Sequence, residues 1–469
     1  MKNLWLSVKS MFTNVKTDHL YSVDGRVPLL KAIPFGLQHV LSMFVANITP
    51  VIIVFYATDP SLAAQAIRGA IFMAGIGTIV QLIIGSRLPV VVGTSFTFVG
   101  ALVAIGDPNV FFAALIAGGI IITILGLFAK YWRKFIKPIV PAAVVLAIGL
   151  SLLSVGSAQF FGGQAYLEGV ISGTMSNEML WQYALVAFIT LLTAVVWNIF
   201  VRGVWKNLAI LVAMVVGYLV SLAFPGMLDF SILKSNKIIA LPTLINFKGL
   251  QFELVPILII TICYIASSVE CIGDTTTLAR MGLGRDPSNR EIAGAITADA
   301  SISVFGAMFG SLPLTTFSQN VGIVAQTKVV NRYTIFIGAL FLVVASLFPP
   351  VASFLLTIPE PVLGGCMIIL FGSIAIVGMQ MVAEVGFDSR TVLVLAISLT
   401  LGFGITLVDS FYAVLNTFNF KYLSVIFASP ILNMFVLSFI LSYLVPQKKK
   451  KCPKQSGQSD EDCPPEENN

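Results

Sequence analysis

The chain has 469 residues, 57% of them hydrophobic and only 11% charged, with a mean hydropathy of +0.93 and a net charge of +6. A soluble domain carries roughly 25% charged residues, so this supply cannot build a water-facing surface, and lipid must be the solvent for most of the chain. The basic residues sit in short clusters between apolar stretches, which points to loop charges that set membrane orientation rather than to nucleic-acid binding.

Residues 1–32 are polar and show no cleavable-signal pattern, so they read as a cytoplasmic N-terminal segment. A spanning helix needs about 20 apolar residues. Fourteen candidate spans follow, at 33–56, 63–84, 88–105, 108–128, 136–157, 180–200, 206–226, 252–274, 291–310, 312–327, 333–355, 362–382, 391–409 and 424–446. The third and tenth are short and polar inside. Each follows a Leu-Pro pair, Leu88-Pro89 and Leu312-Pro313, and both read as broken. Residues 447–469 are polar, Pro-containing and acidic beyond the run Lys448–Lys451. They cannot bury a core and read as a disordered cytoplasmic tail.

With the N-terminus inside, only Arg68, Lys234, Lys237, Lys248 and Lys421 fall outside, and 23 of the 28 Lys and Arg are cytoplasmic. A wrong span count would scramble that asymmetry. Both termini are then cytoplasmic. Fourteen spans suggest two sevens, and an odd-numbered repeat is necessarily inverted. The broken spans hold position three in each half, and the fifth and twelfth both open on prolines (Pro138, Pro141; Pro359, Pro361). Short Gly/Pro-interrupted segments at matching positions are the sequence pointer to a transport site in inverted-repeat carriers.

Charges inside the spans are scarce, so each is informative. Glu270 lies deep in the eighth span, with Asp274 one turn later on the same face. A carboxylate in hydrocarbon must face a cavity, be paired or be protonated. Glu270 therefore reads as a substrate acceptor coupled to a proton, or as a structural acid tied to a neighbouring helix. Asp274 stands between the same two readings. Ser318-Gln319-Asn320 places two carboxamides at a helix start, followed by Gly322. A side-chain amide offers donors and acceptors together and can read the edge of a flat heterocycle; the run could equally be helix-packing glue. Gly322 is expected to let another segment approach closely. In Gly93-Thr94-Ser95-Phe96, Phe96 could stack on a planar ligand. His39, beside Gln38 in the first span, is either a proton relay or an interhelical hydrogen bonder. Asp299 in the ninth span leans to a structural role.

Five cysteines (Cys263, Cys271, Cys366, Cys452, Cys463) and two histidines (His19, His39) show no metal-ligand spacing, so no metal and no disulfide framework is expected. The chain lacks a phosphate-cradling P-loop, a nucleophile elbow and an HExxH helix, which argues against ATP-driven pumps and common intramembrane hydrolases. The expectation is a secondary transporter with no cofactor and a proton as coupling ion.

Together these residues resemble the nucleobase–ascorbate transporter family, in particular its bacterial xanthine and uric acid permeases. The stretch from Gln319 to Lys328 (QNVGIVAQTK) is similar to the family signature, in which an amide or acid precedes Asn-x-Gly and, four residues on, a Thr, here Thr327. Gln38-His39, Glu270 with Asp274, and Gly93–Phe96 match other family segments. The resemblance runs over about residues 25–446 and implies an all-α membrane fold of seven-plus-seven inverted repeats. It implies a core domain (33–128 and 252–355), and a gate domain (136–226 and 362–446) through which the protein would dimerise. It also implies that the two broken spans meet as short strands continued by half-helices. By the same carry-over, Glu270 and Gln319 hold the base and Phe96 stacks on it. Asn320 supports Gln319, Ser95 and Ser318 belong to the site, and His39, Asp274, Asp299, Gly322 and Thr327 support geometry or coupling. Uracil-type relatives tend to carry Glu at the first signature position and purine-type relatives Gln. Gln319 therefore implies an oxopurine, xanthine first and uric acid second. The rivals are a sulfate-permease-type anion transporter, an intramembrane enzyme and a channel. The location implied is the plasma membrane, with the lipid bilayer and a small purine as partners and no nucleic acid.

Overall fold

The computed structural model of the chain describes residues 9, 11, 16–202, 206, 208–230, 238–245, 247–408, 414, 427 and 429–446. The tail 447–469 with Cys452 and Cys463, most of residues 1–15, and Lys234, Lys237 and Lys421 lie outside them. The described residues are 77% helical.

The first half runs α1 (Leu29–Thr58), α2 (Ala63–Ile83), β1 (Val92–Thr94), a 3-10 turn Phe96–Phe98 leading into α3 (Val99–Ile105), α4 (Pro108–Leu127), α5 (Ile139–Phe160), α6 (Gln164–Ile171), α7 (Leu180–Phe200) and α8 (Ala209–Ser221). The second runs α9 (Leu254–Leu283), α10 (Asn289–Met308), β2 (Leu314–Thr316), α11 (Ser318–Thr327), α12 (Arg332–Ser346), α13 (Pro349–Leu356), α14 (Glu360–Val385), α15 (Ser389–Ile397) and α16 (Pro430–Leu444).

Among the described residues eight helices are long and apolar enough to cross a bilayer, and a ninth if α12 and α13 are one span. The sequence suggests a single span over 333–355. The structure bends it by 86° between α12 and α13. Pro349 and Pro350 bring no backbone N–H to continue α12, and they are tolerated where they open a new helix. The remaining expected spans are shorter or more polar. Residues 96–105, 209–221 and 430–444 form short apolar helices. The ninth expected span is helix α10, opened by a capping box. There Ser288 Oγ accepts from Glu291 N at 3.2 Å and Glu291 Oε2 from Ser288 N at 2.7 Å. Helix α6 fills an interval where no element is expected.

The helices pack in two groups. One joins α1, α2, α4, α9, α10 and α12 around the strands; the other joins α5, α7, α8, α14 and α16. The α5–α14 pair interlocks along its length because small residues let the backbones touch. A Cβ on Gly149 would come within 2.3 Å of Ala375 N, and one on Gly378 within 2.5 Å of Leu146.

The strands pair antiparallel, Val92 with Thr316, Gly93 with Thr315 and Thr94 with Leu314. Ser95 N donates to Pro313 O at 2.8 Å and Phe317 N to Val91 O at 2.9 Å. The odd-numbered amides thus face the partner strand, and those of residues 92, 94, 314 and 316 face outward. Buried amides need partners, and here side chains supply them. Thr78 Oγ1 accepts from Val92 N (3.0 Å) and Asn47 Oδ1 from Thr94 N (2.9 Å). Ser303 Oγ accepts from Leu314 N (2.8 Å) and Asp299 Oδ2 from Thr316 N (3.1 Å). The Thr94 hydroxyl also donates to the Asn47 carbonyl. A two-stranded sheet can stand inside a helical bundle because its edges are closed by these four side chains.

Candidate functional site

Each strand leads directly into a short helix, β1 into 96–105 and β2 into α11, and the two helix starts converge. The N-terminal end of a helix presents unpaired N–H groups and partial positive charge. Between them lies a narrow crevice of about 320 Å³ of space free of protein atoms. It is lined by Thr94, Ser95 and Phe96 from the first segment and by Thr315, Thr316, Phe317, Ser318 and Gln319 from the second. Glu270 comes from α9, and Ile148 and Ile374 from α5 and α14. The polar wall therefore belongs to one helix group and the apolar wall to the other.

Glu270 is 8% exposed. Among the described residues its one hydrogen-bond donor is Thr97 Oγ1, at a long 3.3 Å from Oε2. A carboxylate has room for about four donors. The two neighbouring acids differ. Asp274 has both oxygens 2.8 Å from Ser318 Oγ, whose single proton they share. Asp299 accepts from Gln81 Nε2 at 2.6 Å as well as from Thr316 N. Of three buried acids, Glu270 keeps the most acceptor capacity and is the one that lines the crevice.

Phe96 meets Phe371 of α14 edge to face, with centroids 5.3 Å apart and planes at 85°, and its ring lines the crevice. The Phe317 ring lies against Gly93. A Cβ there would come within 2.2 Å of Phe317 Cε2, so only glycine lets the ring settle over the strand. Gln319 is partly exposed.

Five expected site residues, Glu270, Gln319, Phe96, Ser95 and Ser318, thus meet at one crevice. Asn320 does not line it. One residue on, the helix has turned by about 100°. There Asn320 Nδ2 donates to the His39 carbonyl at 2.9 Å and lies 3.1 Å from His39 Nδ1. The pair ties α11 to α1, and His39 touches the site only through it. Asp274 holds Ser318, and Asp299 holds β2 from behind, beside a second cavity of about 220 Å³ lined by Ser267, Ser268, Cys271 and Tyr264. Thr327, eight residues or about 12 Å beyond Gln319, closes the far end of α11, where its hydroxyl accepts from Val329 N at 3.3 Å. The expectation for Gly322 is corrected: among the described residues a Cβ there would meet no atom of another segment within 4 Å, so none of them demands glycine by close approach.

Sequence reasoning missed Asn47, Thr78, Gln81 and Ser303, together with Ile148 and Ile374, and gave no role to Thr97 and Phe317 within the stretches it singled out. Asn47 and Gln81 carried a signal, being carboxamides within apolar spans; the hydroxyls and aliphatic residues carried none. Among the described residues no group of three or more His, Cys, Asp or Glu converges as a metal site.

The sequence model described as "Permease family" (Xan_ur_permease) matches residues 30–411. The chain is 33% identical over 411 residues to xanthine permease XanQ of Escherichia coli (strain K12), covering 83% of this chain and 86% of that one. It is 33% identical over 398 residues to uric acid permease PucK of Bacillus subtilis (strain 168), covering 82% and 90%. Among solved structures, the transmembrane domain of the cyanobacterium bicarbonate transporter BicA matches with a TM-score of 0.55 at 17% identity, over 87% of this chain and 96% of that one. That likeness speaks to the fold alone.

Proposed function

The chain belongs to the nucleobase–ascorbate transporter family, a family of permeases and not of enzymes, and from that premise we propose that it imports an oxopurine by proton symport. Xanthine is the first candidate and uric acid the second. The observation that carries this reading is the unsaturated Glu270 carboxylate on a crevice opposite Gln319 and Phe96.

Glu270 accepts hydrogen bonds from the N–H edge of the base, and these are charge-assisted when the coupling proton sits on a neighbouring carboxylate. Gln319 pairs a donor and an acceptor with the same ring. Phe96 covers a face. Ser95 and Ser318 shape the floor. Asp274 fixes Ser318, and Asn320 with His39 fixes α11. Asp299 holds the strand behind them, and Gly322 and Thr327 complete the half-helix. The proton rides on Glu270 or a carboxylate beside it, so loading of base and proton is coupled.

The fold reading is fourteen spans in two inverted sevens, with both termini cytoplasmic. A site-bearing core (33–128 and 252–355) moves against a gate (136–226 and 362–446) that also forms a homodimer. The two helix groups support that division, as do Ile148 and Ile374, which give the crevice an apolar wall from the second group. Moving one group past the other would expose the crevice to each side in turn.

An anion carrier of the same architecture would present its converging helix starts without a carboxylate between them; Glu270 argues against it. The test is uptake of radiolabelled xanthine competed by xanthine, urate, hypoxanthine, guanine, uracil and sulfate, with and without a protonophore. Competition by xanthine or urate, and loss of uptake with the protonophore, is expected. Competition by sulfate alone overturns the substrate class, and uptake indifferent to the protonophore removes the proton.

A further inference from the structure

Each half of the helix group that carries the crevice is crossed at one end by the chain segment that precedes its first helix. Before α1, residues 16–28 lie over the ends of helices from the other half. Asn331, fully buried, directs its amide protons among the carbonyls of His19 (2.9 Å), Gly25 (3.0 Å) and Ser22 (3.2 Å), while its Oδ1 caps α12 through Thr334 N at 3.1 Å. Val330 N donates to Leu20 O and Arg332 N to Val23 O, both at 3.1 Å. The Arg332 guanidinium pairs with Asp24 and donates to Leu82 O at the end of α2, 2.9 Å away. The strap thus joins the end of α2 to the link between α11 and α12.

Before α9, residues 238–245 and Gln251 do the same at the opposite end. Arg68 Nη2 donates to the carbonyls of Ala240 (2.7 Å) and Leu241 (3.0 Å). Ala240 N donates to Leu347 O at the end of α12, Ile245 N to Met308 O at the end of α10, and Gln251 N to Asn109 O at the start of α4. Arg68 and Leu82 lie fourteen residues apart on α2, about 21 Å along its axis, so the two straps close opposite ends of the bundle.

We propose that these segments are paired straps of the site-bearing bundle that hold the β1 and β2 half-helices in register from both ends, with Asp24, Asn331 and Arg68 as positioning residues. The link 328–331 fastens α11, and with it Ser318 and Gln319, to the first strap. The second strap fastens α2 through Arg68 and α10 through Met308, and these helices pack on β1 and β2 respectively. Neither strap touches the crevice, so both act on ligand affinity through the half-helices. A site held loosely by about 1 Å loses much of its effect.

The inference rests on the nucleobase reading for its uptake assay, so a second readout is independent of substrate. At matched surface amounts, Asp24→Ala and Arg68→Ala each raise the KM for xanthine about three- to tenfold, while Asp24→Glu and Arg68→Lys stay near wild type. A lowered surface amount with unchanged KM would make the straps folding elements only and overturn the proposal. In the full-length protein, the pair Leu20→Cys with Val329→Cys, whose side chains share one buried apolar cluster, cross-links under mild oxidation and leaves uptake intact, because the strap travels with the bundle. Absence of the cross-link, or uptake lost on forming it, also overturns the proposal. If the wild type takes up no nucleobase, the substrate reading falls while cross-link formation still decides whether the first strap docks.

Discussion

The two half-helical segments of the crevice share a geometry and differ in chemistry. The β1 segment is anchored by neutral side chains, Thr78 and Asn47, and presents Ser95 and Phe96. The β2 segment is anchored by Ser303 and the acidic Asp299, and presents Ser318 and Gln319, with Ser318 locked to Asp274. The first side offers a ring face, and the second offers hydrogen-bonding edges beside Glu270. Two segments of like geometry thus present different chemistry to one crevice, a ring from the first and hydrogen-bonding side chains from the second.

The difference can be broken experimentally, starting with the largest effect. Glu270→Gln removes the charged acceptor. Hydrogen bonds to charged groups contribute about 1.5–3 kcal/mol, so xanthine affinity falls by roughly 12- to 150-fold in uptake or binding assays. The two anchors come next. Asp299→Ala leaves Thr316 N and Gln81 Nε2 without this acceptor, at about 1–3 kcal/mol for each unsatisfied buried group, whereas Asn47→Ala strands only Thr94 N among the outward strand amides. Thermal unfolding of the purified protein in detergent should show Asp299→Ala as the less stable of the two, and the reverse order would break the asymmetry. Phe96→Ala deletes the ring face and costs about 1 kcal/mol of binding, roughly a fivefold rise in KM at matched amounts of folded protein. Thr97→Val removes one long hydrogen bond to Glu270 and shifts KM about twofold or less. A Thr97→Val effect as large as that of Phe96→Ala would mean that the 3.3 Å contact, and not the open carboxylate, organises Glu270.

Much of the site was legible because hydrocarbon makes polar groups conspicuous. Glu270, the Ser318-Gln319 pair and the polar interruption at Gly93–Phe96 stand out against apolar neighbours, and the Leu-Pro lead-ins located both strands. What stayed hidden was what resembles ordinary helix chemistry. Thr78 and Ser303 look like any membrane hydroxyl that bonds its own helix, and only the structure shows them closing strand edges. Ile148 and Ile374 form a crevice wall with no polar signal. Asn320 and Gly322 belong to a recognisable motif, yet their roles depend on which way a helix has turned, and a motif does not state that. Span boundaries failed for a related reason: apolarity runs unbroken through residues 333–355 while the Pro349-Pro350 pair turns the chain.

The most direct test of the account is equilibrium binding of radiolabelled xanthine to the purified full-length protein, comparing wild type, Glu270→Gln and Phe96→Ala. The account predicts saturable binding by the wild type, weakened roughly 12- to 150-fold in Glu270→Gln and about fivefold in Phe96→Ala. Wild-type affinity retained by Glu270→Gln would contradict it.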